Sequence, residues 1–262
     1  MTDFATLTAV HPIADGKFSI NVPDGWQQGR GAYGGFALAC LVRAVETAEP
    51  VNERPLRSLN AELCGPLMVG PAEISVEVLR RGSGMTTVTA RTVQDGTVVT
   101  HATALLGKTR QQGAPYNGLS CPDLSEPGIV MPIEGPWPAF TRFIEFANLG
   151  AWPYSGHDVA GTDTWVRMRN PGKTFDTAHL VGLADATWPA LFPSLTEPQP
   201  MSTISFSLHT FGPWTGLQPE ARIRHHARVL WARDGHSSEV RELWSEDGRL
   251  LAINHQLFAT AK

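Results

Sequence analysis

Three polar side chains in the second half of the chain have types that suit the handling of water and protons. Asp185 opens a short helical patch running to Leu191. A helix dipole and free backbone N–H groups favour an ionised carboxylate there. Such a carboxylate can accept a proton or orient a water; equally, Asp is a favoured helix N-cap. Thr203 lies on a strand of clear period-two alternation, sharing one face with Ser205, Ser207 and His209 while Ile204, Phe206 and Leu208 share the other. It is either a hydroxyl donor on a polar face or a β-branched residue chosen for strand propensity. Gln256, in the last strand with Ala252, Asn254 and Phe258 on its face, needs partners at both ends of its amide if buried, and a water can supply one. Its alternative is a polar residue near an exposed strand end. In the first half, Gly34 and Gly35 stand at a helix start. They either expose N–H groups to an approaching carbonyl or serve tight packing.

Charge and composition exclude several kinds of chemistry. The chain has 262 residues and a net charge of −4, with 42% hydrophobic and 18% charged residues, an ordinary globular balance. A weakly acidic chain has no bulk attraction for nucleic acid or an anionic membrane, so an anionic ligand needs a local basic cluster. Candidates are Arg54 with Arg57, Arg80 with Arg81, and the group Arg222, Arg224, His225, His226 and Arg228. Cys40, Cys64 and Cys121 are odd in number and widely spaced, which fits a reducing compartment without disulfide or zinc framework. No secretory signal, phosphate-binding loop, dinucleotide fingerprint or nucleophile elbow is present. The expectation is a cytoplasmic protein with no metal and no cofactor.

The elements that position these residues come in a repeated order. Residues 111–140, dense in proline and glycine, read as a connector without regular structure. Before it, a buried helix (Phe36 to Val45) is followed by strands Ser58 to Leu63, Ala72 to Arg80, Thr86 to Val93 and Thr97 to Leu106. After it come strands Phe143 to Phe146 and Thr164 to Met168, the patch at Asp185, and strands Thr203 to His209, Ala221 to Ala232, Glu239 to Ser245 and Arg249 to Ala259. Asp95-Gly96 and Asp247-Gly248 each signal a hairpin turn, and they lie 152 residues apart, as do Val88 and Val240. Gly65-Pro66 and Gly212-Pro213 lie 147 apart. The order implies duplication, with units at 1–110 and 141–262. At these offsets Thr203 falls on Leu56, Gln256 on Ala104, and Asp185 near Gly34 or Gly35. Only one copy carries the polar groups.

A helix wrapped by antiparallel strands is an α+β architecture. The motifs "GRGAYGG" (Gly29 to Gly35) after Trp26, "LRRGSG" (Leu79 to Gly84), "LADATWPAL" (Leu183 to Leu191), "STISFSLHTFGP" (Ser202 to Pro213) and "DGRLLAINHQLF" (Asp247 to Phe258) together resemble the double hotdog acyl-CoA thioesterases of type II. The resemblance spans nearly the whole chain. It implies hydrolysis of a fatty acyl-CoA by a water held by Asp185, Thr203 and Gln256, with Ser202 adjacent as the alternative hydroxyl. It also implies a ligand-facing turn at Arg81 and Ser83. The alternatives are a non-catalytic acyl-CoA-binding protein and a hotdog hydratase. For the hydratase, the nearest histidine, His179, lies six residues before Asp185. Chain length of the acyl group and homo-oligomerisation stay open.

Overall fold

The computed structural model describes all residues except 1, 50–53, 111–113, 115, 213, 215 and 261–262. Gly113 and Pro115 of the connector and Pro213 of the second Gly-Pro pair lie outside the described residues. The chain runs α1 (Phe4–Leu7), β1 (His11–Ala14), β2 (Lys17–Val22), β3 (Gln27–Gln28), β4 (Gly31–Ala32), α2 (Gly34–Ala48), β5 (Leu56–Leu63), β6 (Gly70–Arg81), β7 (Met85–Gln94) and β8 (Thr97–Gly107). It continues with β9 (Ile129–Val130), a 3-10 turn (Ala139–Phe143), β10 (Ile144–Asn148), β11 (Gly161–Met168), α3 (Thr177–Ala184), β12 (Met201–Thr210), β13 (Ile223–Arg233), β14 (His236–Ser245) and β15 (Leu250–Thr260). The connector is therefore not devoid of regular structure: β9 pairs with β10 at the sheet edge.

Among the described residues, one antiparallel sheet takes the order β1-β2-β6-β7-β8-β5-β12-β15-β14-β13-β11-β10-β9. The junction is β5 against β12, and its register carries the duplication. Ser58 faces His209 while Ser205 faces Glu62, pairs that exchange under a 147-residue shift. Leu59 opposite Ala104 matches Phe206 opposite Gln256. Even the irregularities repeat. Arg57 is the extra residue of a bulge in β5, and Ile204 of one in β12.

The two hairpins differ by one residue. Asp95 and Gly96, with φ of 50° and 74°, make a two-residue turn closed by Gln94 and Thr97. In the second copy Ser245 N–H donates to Arg249 O at 2.9 Å around Glu246-Asp247-Gly248, with Gly248 at φ 81°, a three-residue loop. Hence Val88, opposite Ala104, corresponds to Glu239, opposite Gln256, an offset of 151 rather than 152.

The helices also depart from expectation. Asp176 caps α3, accepting from His179 N–H at 2.8 Å. The helix then stops at Ala184, with Asp185 as its C-cap, five residues before Pro189. Asp185 therefore ends a helix instead of opening one. Matching the N-caps Tyr33 and Asp176, an offset of 143, sets Asp185 against Val42 and not against Gly34 or Gly35. The first copy still lacks the carboxylate.

Each unit's leading turn covers the other. Phe4 N–H donates to Asn170 O at 2.9 Å, and its ring meets that of His179. In return Phe143 stacks on Trp26 at 4.5 Å and Phe140 on Tyr33 at 4.3 Å. A chain ending at residue 110 would lose these rings and bare the β5 edge. It is expected to aggregate or self-pair, whereas the full chain should elute as one species on size-exclusion chromatography.

Candidate functional site

The site forms where α3 ends against the start of α2. Asp185 is 7% exposed. Burial drives its carboxyl up to about 6, opposed by the Arg241 charge, the Gln256 amide and the Gly35 N–H, while Glu239 adds to the rise. Asp185 lies at the negative end of its own helix and at the positive end of α2, and burial outweighs the help that α2 gives to its ionised form. Two glycines allow the approach. A Cβ on Gly34 would stand 2.6 Å from Asp185 Oδ2, and one on Gly35 would stand 2.5 Å from Gly182 O. Of the two roles read for these glycines, close packing is the one these contacts bear on. Tyr33, the α2 N-cap, donates its hydroxyl to Gly182 O at 3.3 Å, and burial keeps it protonated.

Gln256, 2% exposed, links the remaining groups. Its Oε1 accepts from Thr203 Oγ1 at 3.1 Å, and its Nε2 donates to Asn254 Oδ1 at 2.8 Å. Asn254 in turn donates through Nδ2 to Ser207 O at 2.9 Å. That last bond fixes the amide of Asn254, which fixes the amide of Gln256, leaving its N–H side toward Asp185. Thr203 reaches this face only because of the bulge. Opposed residues in an antiparallel pair share a face, and Thr203 opposes Phe258 while Phe206 opposes Gln256. Ile204 absorbs the odd residue. Thr203 is consequently on the inner face with Phe206, not on the polar face with Ser205 and Ser207 as strict alternation predicts. Ser202, adjacent, is exposed.

Comparison with known proteins now decides the family. Sequence models of the acyl-CoA thioesterase N-terminal and C-terminal domains match residues 22–107 and 120–260. The chain belongs to the acyl-CoA thioesterase family. It is a thioester hydrolase of the double hotdog fold, as its motifs imply. A conserved hot dog fold protein of unknown function from Alicyclobacillus acidocaldarius superposes with a TM-score of 0.88 at 24% identity, covering 99% of this chain and 98% of that one. A protein described as a thioesterase II from Thermobifida fusca gives 0.84 at 21%, covering 100% and 98%. An acyl-CoA thioesterase II from Mycobacterium marinum gives 0.73 at 16%, covering 98% of both. No curated protein matches the sequence.

The thioesterase brings Asp185, Thr203, Gln256, Gly34 and Gly35 together but leaves Arg81 and Ser83 apart. Arg81 forks onto Glu49, the C-cap of α2, and Ser83 O accepts from Arg54 beside it. That is the far end of a 15-residue helix, about 22 Å away at ~1.5 Å per residue. Arg222, Arg224 and Arg228 pair with Glu246, Asp163 and Glu242. His179 is buried against Phe175 and Phe4, which lowers it to about 4. Among the described residues no cluster of three His, Cys, Asp or Glu gathers as for a metal, and no helix is long and apolar enough to cross a membrane.

Sequence reasoning missed Asn254, Glu239 and Arg241. Asn254 shares the Gln256 face by simple alternation, and its counterpart is Ala102. Glu239 and Arg241 emerge only with the 151 offset, as the counterparts of the apolar Val88 and Ala90.

Because burial raises Asp185 from 3.8 to about 6, the fold favours its protonated form. That contribution is complete below pH 3.8 and is lost as pH rises through about 6. Asp185→Asn cannot ionise, so its stability relative to wild type should improve across this window by about 3 kcal/mol. Melting temperatures of both proteins between pH 4 and pH 8 (roughly the span bracketing the titration) check this.

Proposed function

We propose that this thioesterase hydrolyses fatty acyl-CoA through a water activated by Asp185 and oriented by Thr203 and Gln256. The observation that carries the reading is the buried carboxyl held near 6, in hydrogen-bonded company with an amide and a hydroxyl. A base of that affinity is ionised at neutral pH and can still take a proton. The water adds to the thioester carbonyl carbon as its proton passes to Asp185. The carbonyl oxygen takes the negative charge against the free N–H of Gly34 at the α2 start, while the Gly35 N–H holds the Asp185 carboxyl. Collapse of the intermediate breaks the C–S bond, and the Asp185 proton goes to the departing sulfur, giving free acid and coenzyme A.

A fatty acyl chain is supported by the aromatic surroundings of the Asp185 loop. Trp188, three residues on, lies 6.3 Å from both Phe146 and Trp152, ring centre to ring centre. A thiol-release assay over a series of acyl lengths defines the preferred substrate.

Asp185→Asn should lower kcat about 100- to 10,000-fold with the protein still folded. Wild-type kcat/KM should fall as pH drops below about 6, as the base is protonated. Thr203→Val and Gln256→Ala should cost less, each removing one orienting hydrogen bond. An Asp185→Asn enzyme within a few-fold of wild type would instead favour a base elsewhere.

Arg81 and Ser83 are proposed to meet the coenzyme A phosphates, which a long pantetheine arm would carry well away from the carbonyl. Arg81→Gln should then raise KM with kcat unchanged, the mark of lost uniform binding. Loss of melting temperature with KM unchanged would leave Arg81 only its bond to Glu49.

A further inference from the structure

A buried charged pair lies beneath the site, and its hydrogen bonds reach the loop that carries Asp185. Glu239 and Arg241 are both 0% exposed, and neighbour Gln256 and Asn254 across the β14–β15 pairing. Arg241 spends its donors in three directions. Nε meets Glu239 Oε1 at 2.6 Å, Nη1 meets Ala184 O at 3.1 Å and Nη2 meets Thr187 O at 3.4 Å. Those carbonyls flank Asp185 on either side. Glu239 Oε2 accepts from Ala190 N–H at 2.6 Å, the far end of the same loop. Nothing about the fold requires this pair. The corresponding positions of the first copy are Val88 and Ala90, and a buried ion pair is no better for stability than apolar residues of similar volume.

We propose that Glu239 and Arg241 are positioning residues for thioester hydrolysis, clamping the loop that carries Asp185 and supplying the charges that surround its carboxylate. The inference rests on the reading of Asp185 as the base. Other titratable groups around it are neutral. Tyr33 at the α2 start is held protonated by burial, the Cys40 thiol within α2 is pushed up to about 12, and His225 on β13 is pushed down to about 3. Strands β12 and β15 present the uncharged Thr203, Asn254 and Gln256. Glu62 on β5 is bound to His101 and exposed with it. The two charges nearest the base are then of opposite sign, and removing one should move it opposite to removing the other.

The test uses full-length Glu239→Gln, Arg241→Met and the double variant, each with and without Asp185→Asn. The pH midpoint of the melting-temperature gap between each protein and its Asp185→Asn counterpart reports protonation of Asp185 without any assay. It should fall by about one unit in Glu239→Gln and rise by about one unit in Arg241→Met. Midpoints that stay put, or move the same way, overturn the proposal. If Arg241→Met fails to fold with Glu239 left alone, the double variant carries the test. It is uncharged, as the first copy is, and should melt near wild type while kcat drops about 100-fold through misplacement at little change in KM. Wild-type kcat in the double variant overturns the proposal. Midpoints that shift as stated while the acid limb of kcat/KM stays fixed support the clamp and show that the base lies elsewhere.

Discussion

The candidate site depends on the contact between the end of α3 and the start of α2. Helices ordinarily pack about 8–10 Å apart, with side chains between them. Here Gly34 and Gly35 leave no room for a Cβ, so the Gly182 backbone and the Asp185 carboxyl come directly against α2. A carboxyl at the C-terminus of its own helix meets an unfavourable dipole, and the facing N-terminus of α2 offsets it. The result is an acid whose affinity for a proton is poised instead of suppressed. A larger residue at either glycine would separate the helices and carry Asp185 away from Gln256.

Around that contact the two copies have diverged at matched positions. Where the second copy has Asp185, Thr203, Glu239, Arg241, Asn254 and Gln256, the first has Val42, Leu56, Val88, Ala90, Ala102 and Ala104. All the first-copy residues are buried and apolar. Burying polar groups is costly unless each finds a partner, and here they do. Thr203 serves Gln256, Gln256 serves Asn254, Asn254 serves the Ser207 carbonyl, and Arg241 serves Glu239 and the α3 terminus. The set is tolerable as a network, and breaking any one link leaves an unpaired group in a dry place.

Much of this was legible in the sequence because it depends on local pattern. The α2 residues, the strands and the duplication follow from periodicity and from two Asp-Gly turns. The three polar residues come from motif resemblance, and the apolar counterparts of Thr203 and Gln256 from arithmetic on the repeat, which misplaces that of Asp185. What stayed illegible depends on one-residue displacements. A three-residue loop at Glu246-Asp247-Gly248 looks like a two-residue Asp-Gly turn, which hid the match of Glu239 and Arg241 to Val88 and Ala90. The bulge at Ile204 reverses the face of Thr203, and nothing in "STISFSLH" marks it, since one slip inverts every side chain beyond. Asp185 was assigned to the wrong end of a helix because Asp caps N-termini, while the residue filling that role, Asp176, stands nine positions earlier.

The site nevertheless does not belong to the second copy alone. The internal two-fold relation brings the α2 start of one copy to the α3 end of the other, so Gly34 and Gly35 complete a site whose acid they do not carry. The same symmetry generates a second junction, between the start of α3 and Val42. In a dimer of identical single units both junctions would carry the same residues, and every buried charge would be imposed twice. Joining the copies in one chain lifts that identity. One junction can then bury an acid within a polar network while its counterpart sets the buried Val42 beside a partly exposed ion pair, Asp176 with Arg43 at 2.9 Å. The two copies that form these junctions are joined through the pairing of β5 with β12. Each leading turn, with Phe4 on His179 and Phe140 on Tyr33, fastens one copy to the helix of the other. The first copy thus supplies the helix start against which the second copy buries its acid.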